Sequence, residues 1–157
     1  MKLYLMRHAE AEDGVNDAAR ALTDYGRKQA REMARFLANS GIRFDAAYTS
    51  PLVRAVQTCE EVLPITNPKP RLKLKTIDIL INESSGIEFM NWVRKHPPAE
   101  HLLLVGHAPS LAEHVARLTG GSAVKMTKGC VACVDTPDRR EGALRFLVSP
   151  KLIGCRE

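Results

Sequence analysis

Leu3-Tyr4-Leu5-Met6-Arg7-His8 decides how the rest of the chain is read: four apolar residues in a row, then a guanidinium and an imidazole. An apolar run this short, stopped by polar residues, reads as a β-strand buried on both faces. The pattern returns at Leu102 to Val105, where a second apolar run stops at Gly106-His107. Between them, Phe44 to Thr49 reads as another strand. Ser50-Pro51 then supplies an N-cap and a first-turn proline for a helix reaching about Val62, with Arg54 one turn inside.

Helices fill the gaps. Thr23 is a good N-cap, and Ala30, Met33, Ala34 and Leu37 recur at helical spacing until Gly41. Ile87 to Lys95 predicts a short helix stopped by Pro97-Pro98, and Pro109 opens one that ends at Gly120-Gly121. Pro64 to Pro70, with three prolines, is expected to be loop. Arg71 to Lys75 alternates charge and apolar residues as a half-exposed edge strand does, and its basic side chains with Lys69 could also steer an acidic partner. Val131 to Val134 and Leu144 to Val148 close the series as strands. Strands alternating with helices imply an α/β three-layer sandwich whose central mixed sheet is mostly parallel and flanked by helices.

The 157 residues fit a single domain, at the usual ~100–200 residues per domain. Hydrophobic residues are 45% of the chain, enough for a core without a metal or disulfide staple. No apolar run approaches the roughly 20 residues of a membrane span, and Leu3 to Met6 is too short for a signal-peptide core. Four sparse cysteines do not make a disulfide framework, so a cytoplasmic location is expected. The 23 basic and 18 acidic residues leave a charge of +5, which favours anionic partners. Aromatics at 5% offer no stacking platform, and the basic residues are scattered, so nucleic acid is not the expected anion.

In open α/β sheets, ligands sit outside the carboxyl ends of the strands. Three such ends here carry Arg7 with His8, Arg54, and His107. Arg7 and Arg54 offer planar forks that match phosphate oxygens. A neutral histidine can attack phosphorus and split one displacement into two through a phosphohistidine. His8 is the candidate nucleophile, with the neighbouring arginines expected to depress its pKa. His107 would donate a hydrogen bond to the phosphoryl oxygens as charge develops there.

At these residues the sequence resembles the histidine phosphatase superfamily, phosphoglycerate mutase-like in fold, and especially its SixA-type phosphohistidine phosphatases. Leu5-Met6-Arg7-His8-Ala9 is similar to the nucleophile motif, and Leu22-Thr23 with Gly26 and Gln29-Ala30 to the first-helix pattern. Ser50-Pro51-Leu52-Val53-Arg54-Ala55-Val56-Gln57-Thr58 resembles the second-arginine block, and Val105-Gly106-His107 the second-histidine motif. The resemblance implies a hydrolase in which His8 is phosphorylated while Arg7, Arg54 and His107 hold the phosphoryl group. No metal or other cofactor is then required. Ala9 stands where the family has glycine, so its methyl group is expected to narrow the pocket or restrict the backbone.

Larger members of the family carry insertions bearing an acid that protonates an alkoxide leaving group, and this chain has little room for one. Glu83, in the turn Asn82 to Gly86, is the candidate proton donor; its plain reading is a solvated loop carboxylate. An imidazole leaving group needs less acid. A phosphohistidine protein in signal transduction or phosphotransfer is therefore the expected substrate. A phosphomonoesterase or mutase acting on a small phosphorylated metabolite, and a non-catalytic phosphoprotein-binding module, are the alternatives. Cys130 and Cys133, three apart on a strand, face opposite sides and read as buried structural thiols. His96, His101 and His114 read as packing or surface residues, and Glu10, Glu12 and Asp13 as a solvated loop.

Overall fold

Leu3 and Leu5 pack into one hydrophobic cluster and Tyr4 and Met6 into another, the period-two division of a strand with helices on both sides. This strand, β1 (Lys2–Arg7), runs through the middle of the sheet in the computed structural model, which describes residues 1–157. The other strands are β2 (Ala46–Thr49), β3 (Leu74–Thr76), β4 (His101–Gly106), β5 (Val131–Asp135) and β6 (Ala143–Val148), in the spatial order β3-β2-β4-β1-β5-β6. β1, β2, β3 and β4 pair in parallel, while β5 and β6 join antiparallel.

Two helices cover each face. Helices α1 (Asp24–Asn39) and α2 (Val53–Thr66) bury Met33, Leu37, Cys59 and Val62 against Tyr4, Met6, Leu103 and Val105. On the other face, α3 (Gly86–Lys95) and α4 (Ser110–Thr119) bury Phe89, Val93, Leu111 and Val115 against Leu3, Leu5, Leu102 and Leu104. Thr23 caps α1 by accepting from the Gly26 N–H at 2.9 Å, as its position predicts. Cys133 lies in the cluster under α1 and α2 and Cys130 in the one under α3 and α4, and all four cysteines are unpaired and buried. No helix is long and apolar enough to cross a membrane.

Two expectations fail along α2. The helix starts at Val53 with Leu52 as its cap, not at Ser50-Pro51, because the Ser50 N–H bonds the Val105 carbonyl at 3.0 Å and prolongs the strand pairing. At its other end the helix passes through Pro64 to Thr66, where a loop was expected. Pro64 falls in the last turn and forfeits a single bond there, while the burial of Val62, Leu63 and Thr66 holds the turn in place. Asn67 then closes the end by bonding both the N–H and the carbonyl of Phe44. β3 is shorter than the alternation of 71–75 suggests, but it does form the edge of the sheet.

Candidate active site

Strand register brings the separated motifs level. Arg7 pairs with Gly106, so the next residues, His8 and His107, emerge side by side where the sheet stops. Thr49 pairs with Val105, which sets Ser50 beside them. The His8 N–H continues the ladder to the Gly106 carbonyl at 3.0 Å, and the two imidazole centroids lie 5.1 Å apart. Gly106 is needed for this packing: a Cβ there would sit 2.7 Å from the Leu80 carbonyl oxygen of the loop crossing the strand end. That loop delivers Ile81 and Asn82 to a cleft of about 320 Å³, which is also lined by Arg7, His8, Asp17, Arg54, His107 and Lys128.

His8 is 6% exposed, and its two ring nitrogens have different partners. Nδ1 lies 2.7 Å from the Ala9 carbonyl oxygen, which can only accept, so Nδ1 carries the proton. Nε2 then bears the lone pair, and the Arg54 Nε–H donates to it at 3.3 Å. Burial, ahead of the charges of His107, Arg54 and Arg7, pushes the imidazole down to about 3. The expected depression is present, but the leading cause is desolvation rather than the arginines.

Arg54 is 7% exposed and reaches the cleft from the first turn of α2. Its NH1 donates to the Asp17 carbonyl at 2.7 Å and its NH2 to the Asp17 carboxylate at 3.1 Å. Asp17 belongs to a short 3₁₀ turn, Asp17–Ala19, that folds over the cleft mouth. Arg20 and Arg54 hold its carboxyl below the usual range, so it stays ionised. Arg7, at the end of β1, is fixed by a 2.9 Å bond from NH1 to the Met126 carbonyl, while its Nε–H is buried without an acceptor. Burial lowers its pKa, with Arg54 adding to the effect, yet a guanidinium keeps its charge at working pH.

His107 is 3% exposed, with Nε2 2.6 Å from the Ser50 hydroxyl and Nδ1 buried without a partner. When Ser50 donates its O–H to Nε2, the His107 proton resides on Nδ1, a free donor for an incoming anion. Burial, followed by Arg54, pushes this imidazole down to about 4. Two neutral imidazoles, two guanidinium groups and unspent N–H donors therefore converge on one small volume. A tetrahedral anion is the ligand that suits them.

The structure thus gathers Arg7, His8, Arg54 and His107 into one cleft but leaves Glu83 out of its lining. Glu83 is exposed, its backbone held at φ 64° by the bond from its N–H to the Ser110 hydroxyl at 2.6 Å. Its neighbour Asn82 lines the cleft instead. The Ala9 methyl is fully buried in the core under α1 and α2, outside the cleft lining, and Ala9 has no positive φ. The pocket narrowing and backbone restriction expected of it are therefore absent; its N–H bonds the Thr58 hydroxyl at 3.1 Å.

Sequence reasoning missed Asp17 and Ser50 as site residues. Asp17 sits in a polar loop with no local signal, and Ser50, before a proline, carries the signal of a helix cap. Glu10 is also more than a solvated loop carboxylate, since it accepts the Thr23 hydroxyl at 2.9 Å beside the start of α1. His114 stacks on Phe89 with centroids 4.0 Å apart, and His96 accepts or donates to the Tyr48 hydroxyl at 2.7 Å, both packing roles. No three His, Cys, Asp or Glu side chains converge on a point that could hold a metal ion.

Comparison with known proteins places the chain in a family. The model of the histidine phosphatase superfamily, branch 1, matches residues 3–99. An uncharacterized protein of Picosynechococcus sp. is 32% identical over 127 residues, covering 77% of this chain and 74% of that protein. The phosphohistidine phosphatase SixA of Escherichia coli K12 is 28% identical over 153 residues, covering 96% of this chain and 94% of that protein. Among solved structures, the protein histidine phosphatase SixA complexed with tungstate superposes with a TM-score of 0.91 at 25% identity, over 98% of this chain and 99% of that one.

Proposed function

The chain belongs to branch 1 of the histidine phosphatase superfamily, and from that premise we propose that it is a metal-independent protein phosphohistidine phosphatase. The observation that carries this reading is the pairing of an oriented nucleophile with a cleft that has no proton donor for an alkoxide. The one carboxyl lining the cleft, Asp17, is held ionised by Arg20 and Arg54. Tungstate, named with the similar SixA structure, is a tetrahedral oxyanion of the kind Arg7, Arg54 and His107 would hold.

In the first step the His8 Nε2 lone pair attacks phosphorus as the P–N bond to the substrate imidazole breaks. That imidazole leaves neutral when its far nitrogen already carries a proton, so no acid is required at the site. The Ala9 carbonyl stabilises the charge gained by the phosphorylated His8 ring through its 2.7 Å bond to Nδ1. In the second step water attacks phosphorus, the P–Nε2 bond breaks, and inorganic phosphate departs with the water's proton released to solvent. His8 returns neutral because Nδ1 has kept its proton throughout. Arg7, Arg54 and the His107 Nδ1–H face the equatorial oxygens, where charge is carried during both displacements.

A cytoplasmic phosphotransfer or signalling protein is the substrate class that fits, in keeping with four unpaired, buried thiols. The test is transfer of labelled phosphate from a phosphohistidine protein. An acid-labile label on the enzyme that disappears in His8→Ala supports the reading, and a label that persists in that variant overturns it. Phosphate release in a single turnover separates an enzyme from a binding module. A phosphomonoesterase would have to bring Glu83 in from beside Asn82, and Glu83→Gln would then abolish turnover of sugar phosphates.

A further inference from the structure

Beside the nucleophile cleft lies a second depression of about 430 Å³, bordered by Tyr25, Gln29, Ser149 and Lys151 and sharing Arg7 and Lys128 with the cleft. Three cations and no carboxylate line it. Other basic side chains of α1 have partners: Arg27 and Arg31 share Glu61, Arg35 pairs with Glu32, and Lys28 donates to the Arg156 carbonyl. Lys128 and Lys151 are exposed and take part in none of the protein's ion pairs.

Their placement is structural. Gly129, at φ 74°, donates its N–H to the carbonyls of Arg7 and His8 at 3.2 and 3.0 Å, which fixes Lys128 against the backbone of the nucleophile. A Cβ at Gly129 would lie 2.8 Å from the Pro150 ring, so only glycine lets the segment carrying Lys151 approach this closely. Two segments about twenty residues apart in sequence thereby set two unpaired ammonium groups beside the phosphoryl-binding guanidinium. Tyr25 and Ser149, whose side chains can donate a neutral hydrogen bond, line the same place.

We propose that this depression is a second anion subsite, taking the carboxylate of an acidic residue that flanks phosphohistidine on a protein substrate. The inference rests on the proposed function and narrows its substrate class to acidic surfaces. Two exposed ammonium groups on flexible stems suit a carboxylate arriving on a protein surface. Neither supplies the rigid, bidentate fork that would enclose a second phosphate of a small molecule.

The test uses the full chain and two peptides that carry a non-hydrolysable phosphonate analogue of phosphohistidine, one flanked by Asp and Glu, the other by Asn and Gln. In calorimetric titration at low salt, the acidic peptide is expected to bind about fivefold more tightly, an advantage that shrinks as salt screens exposed charges. Lys151→Gln removes most of the difference and Lys151→Glu reverses it, while turnover of phosphoimidazole by both variants stays at the parent rate. Equal affinity for the two peptides, or a preference that survives Lys151→Glu, overturns the subsite. A small bisphosphate whose binding depends on Lys151 when that of the acidic peptide does not would also overturn it. Absence of phosphoimidazole turnover would defeat the proposed activity instead, with peptide affinity still deciding the subsite.

Discussion

The strand-end wall of the cleft and the loop wall opposite are held by different means. On the first, His8, His107 and Ser50 are almost completely buried; His8 is oriented by the carbonyl of the adjacent Ala9, and His107 and Ser50 bond each other across strands brought level by register. On the second, the Asp17 side chain is 62% exposed, although its partner Arg54 is only 8% exposed. The first wall gains its chemistry from burial, which keeps two imidazoles neutral and leaves the His107 Nδ1–H and the Arg7 Nε–H without a partner, while the His8 Nε2 lone pair is met only by a long 3.3 Å bond from Arg54. The second is an ion pair half in water, where attraction is screened and the pair contributes little. Pre-organisation of the proposed phosphoryl site therefore resides in the sheet, and the loop is replaceable.

Substitutions of the buried groups should have the largest effect. Arg7→Ala, Arg54→Ala or His107→Ala is expected to lower kcat by ~10²–10³, the usual consequence of removing one donor to a charged transition state. Ser50→Ala keeps His107 but removes the partner that fixes its tautomer, and about a tenfold fall in kcat is expected, with the KM for substrate little changed. A Ser50→Ala enzyme with parent kcat would show that burial alone orients His107.

Acid should expose the cost of burying imidazoles. His8, His107 and His114 lie at about 3, 4 and 4, against an ordinary 6.5. As pH falls below 6.5 the unfolded chain takes up these protons and the native chain does not, so the native state loses stability from there down to about pH 4. The Tm is expected to fall steadily over that window, and His114→Gln to flatten the slope by removing one of the three. Imidazole resonances of His8 that titrate near 6.5 in the native protein would contradict the buried-wall description.

Asp17→Asn should have the smallest effect. It removes a negative charge beside the incoming phosphoryl group and costs only an exposed ion pair, so a KM lowered by no more than about threefold is expected. A tenfold or greater loss of kcat would instead make the loop a working part of the site.

Much of this was legible in the residues themselves. Apolar runs broken by Arg7-His8 and Gly106-His107 locate β1 and β4 because a strand buried on both faces admits no polar residue until it leaves the sheet. Thr23 and the spacing of Ala30, Met33, Ala34 and Leu37 locate α1 for the same reason of burial on one face. Ser50 and Pro64 mislead because their local signals are ordinary ones. A serine before a proline is a good cap until its N–H is taken by the Val105 carbonyl of a neighbouring strand. A proline ends a helix until the turn beneath it is packed against the core.

The order of residues along the chain determined the elements, the candidate nucleophile and the cations, because periodicity and side-chain chemistry are local properties. Only the tertiary structure decided which nitrogen of His8 carries the lone pair, that Ser50 serves His107, that Asp17 rather than Glu83 lines the cleft, and that Lys128 and Lys151 line one depression. Those facts depend on strand register and on close approaches such as Gly106 to Leu80 and Gly129 to Pro150. Contacts of that kind join residues far apart in sequence, and no local pattern encodes them.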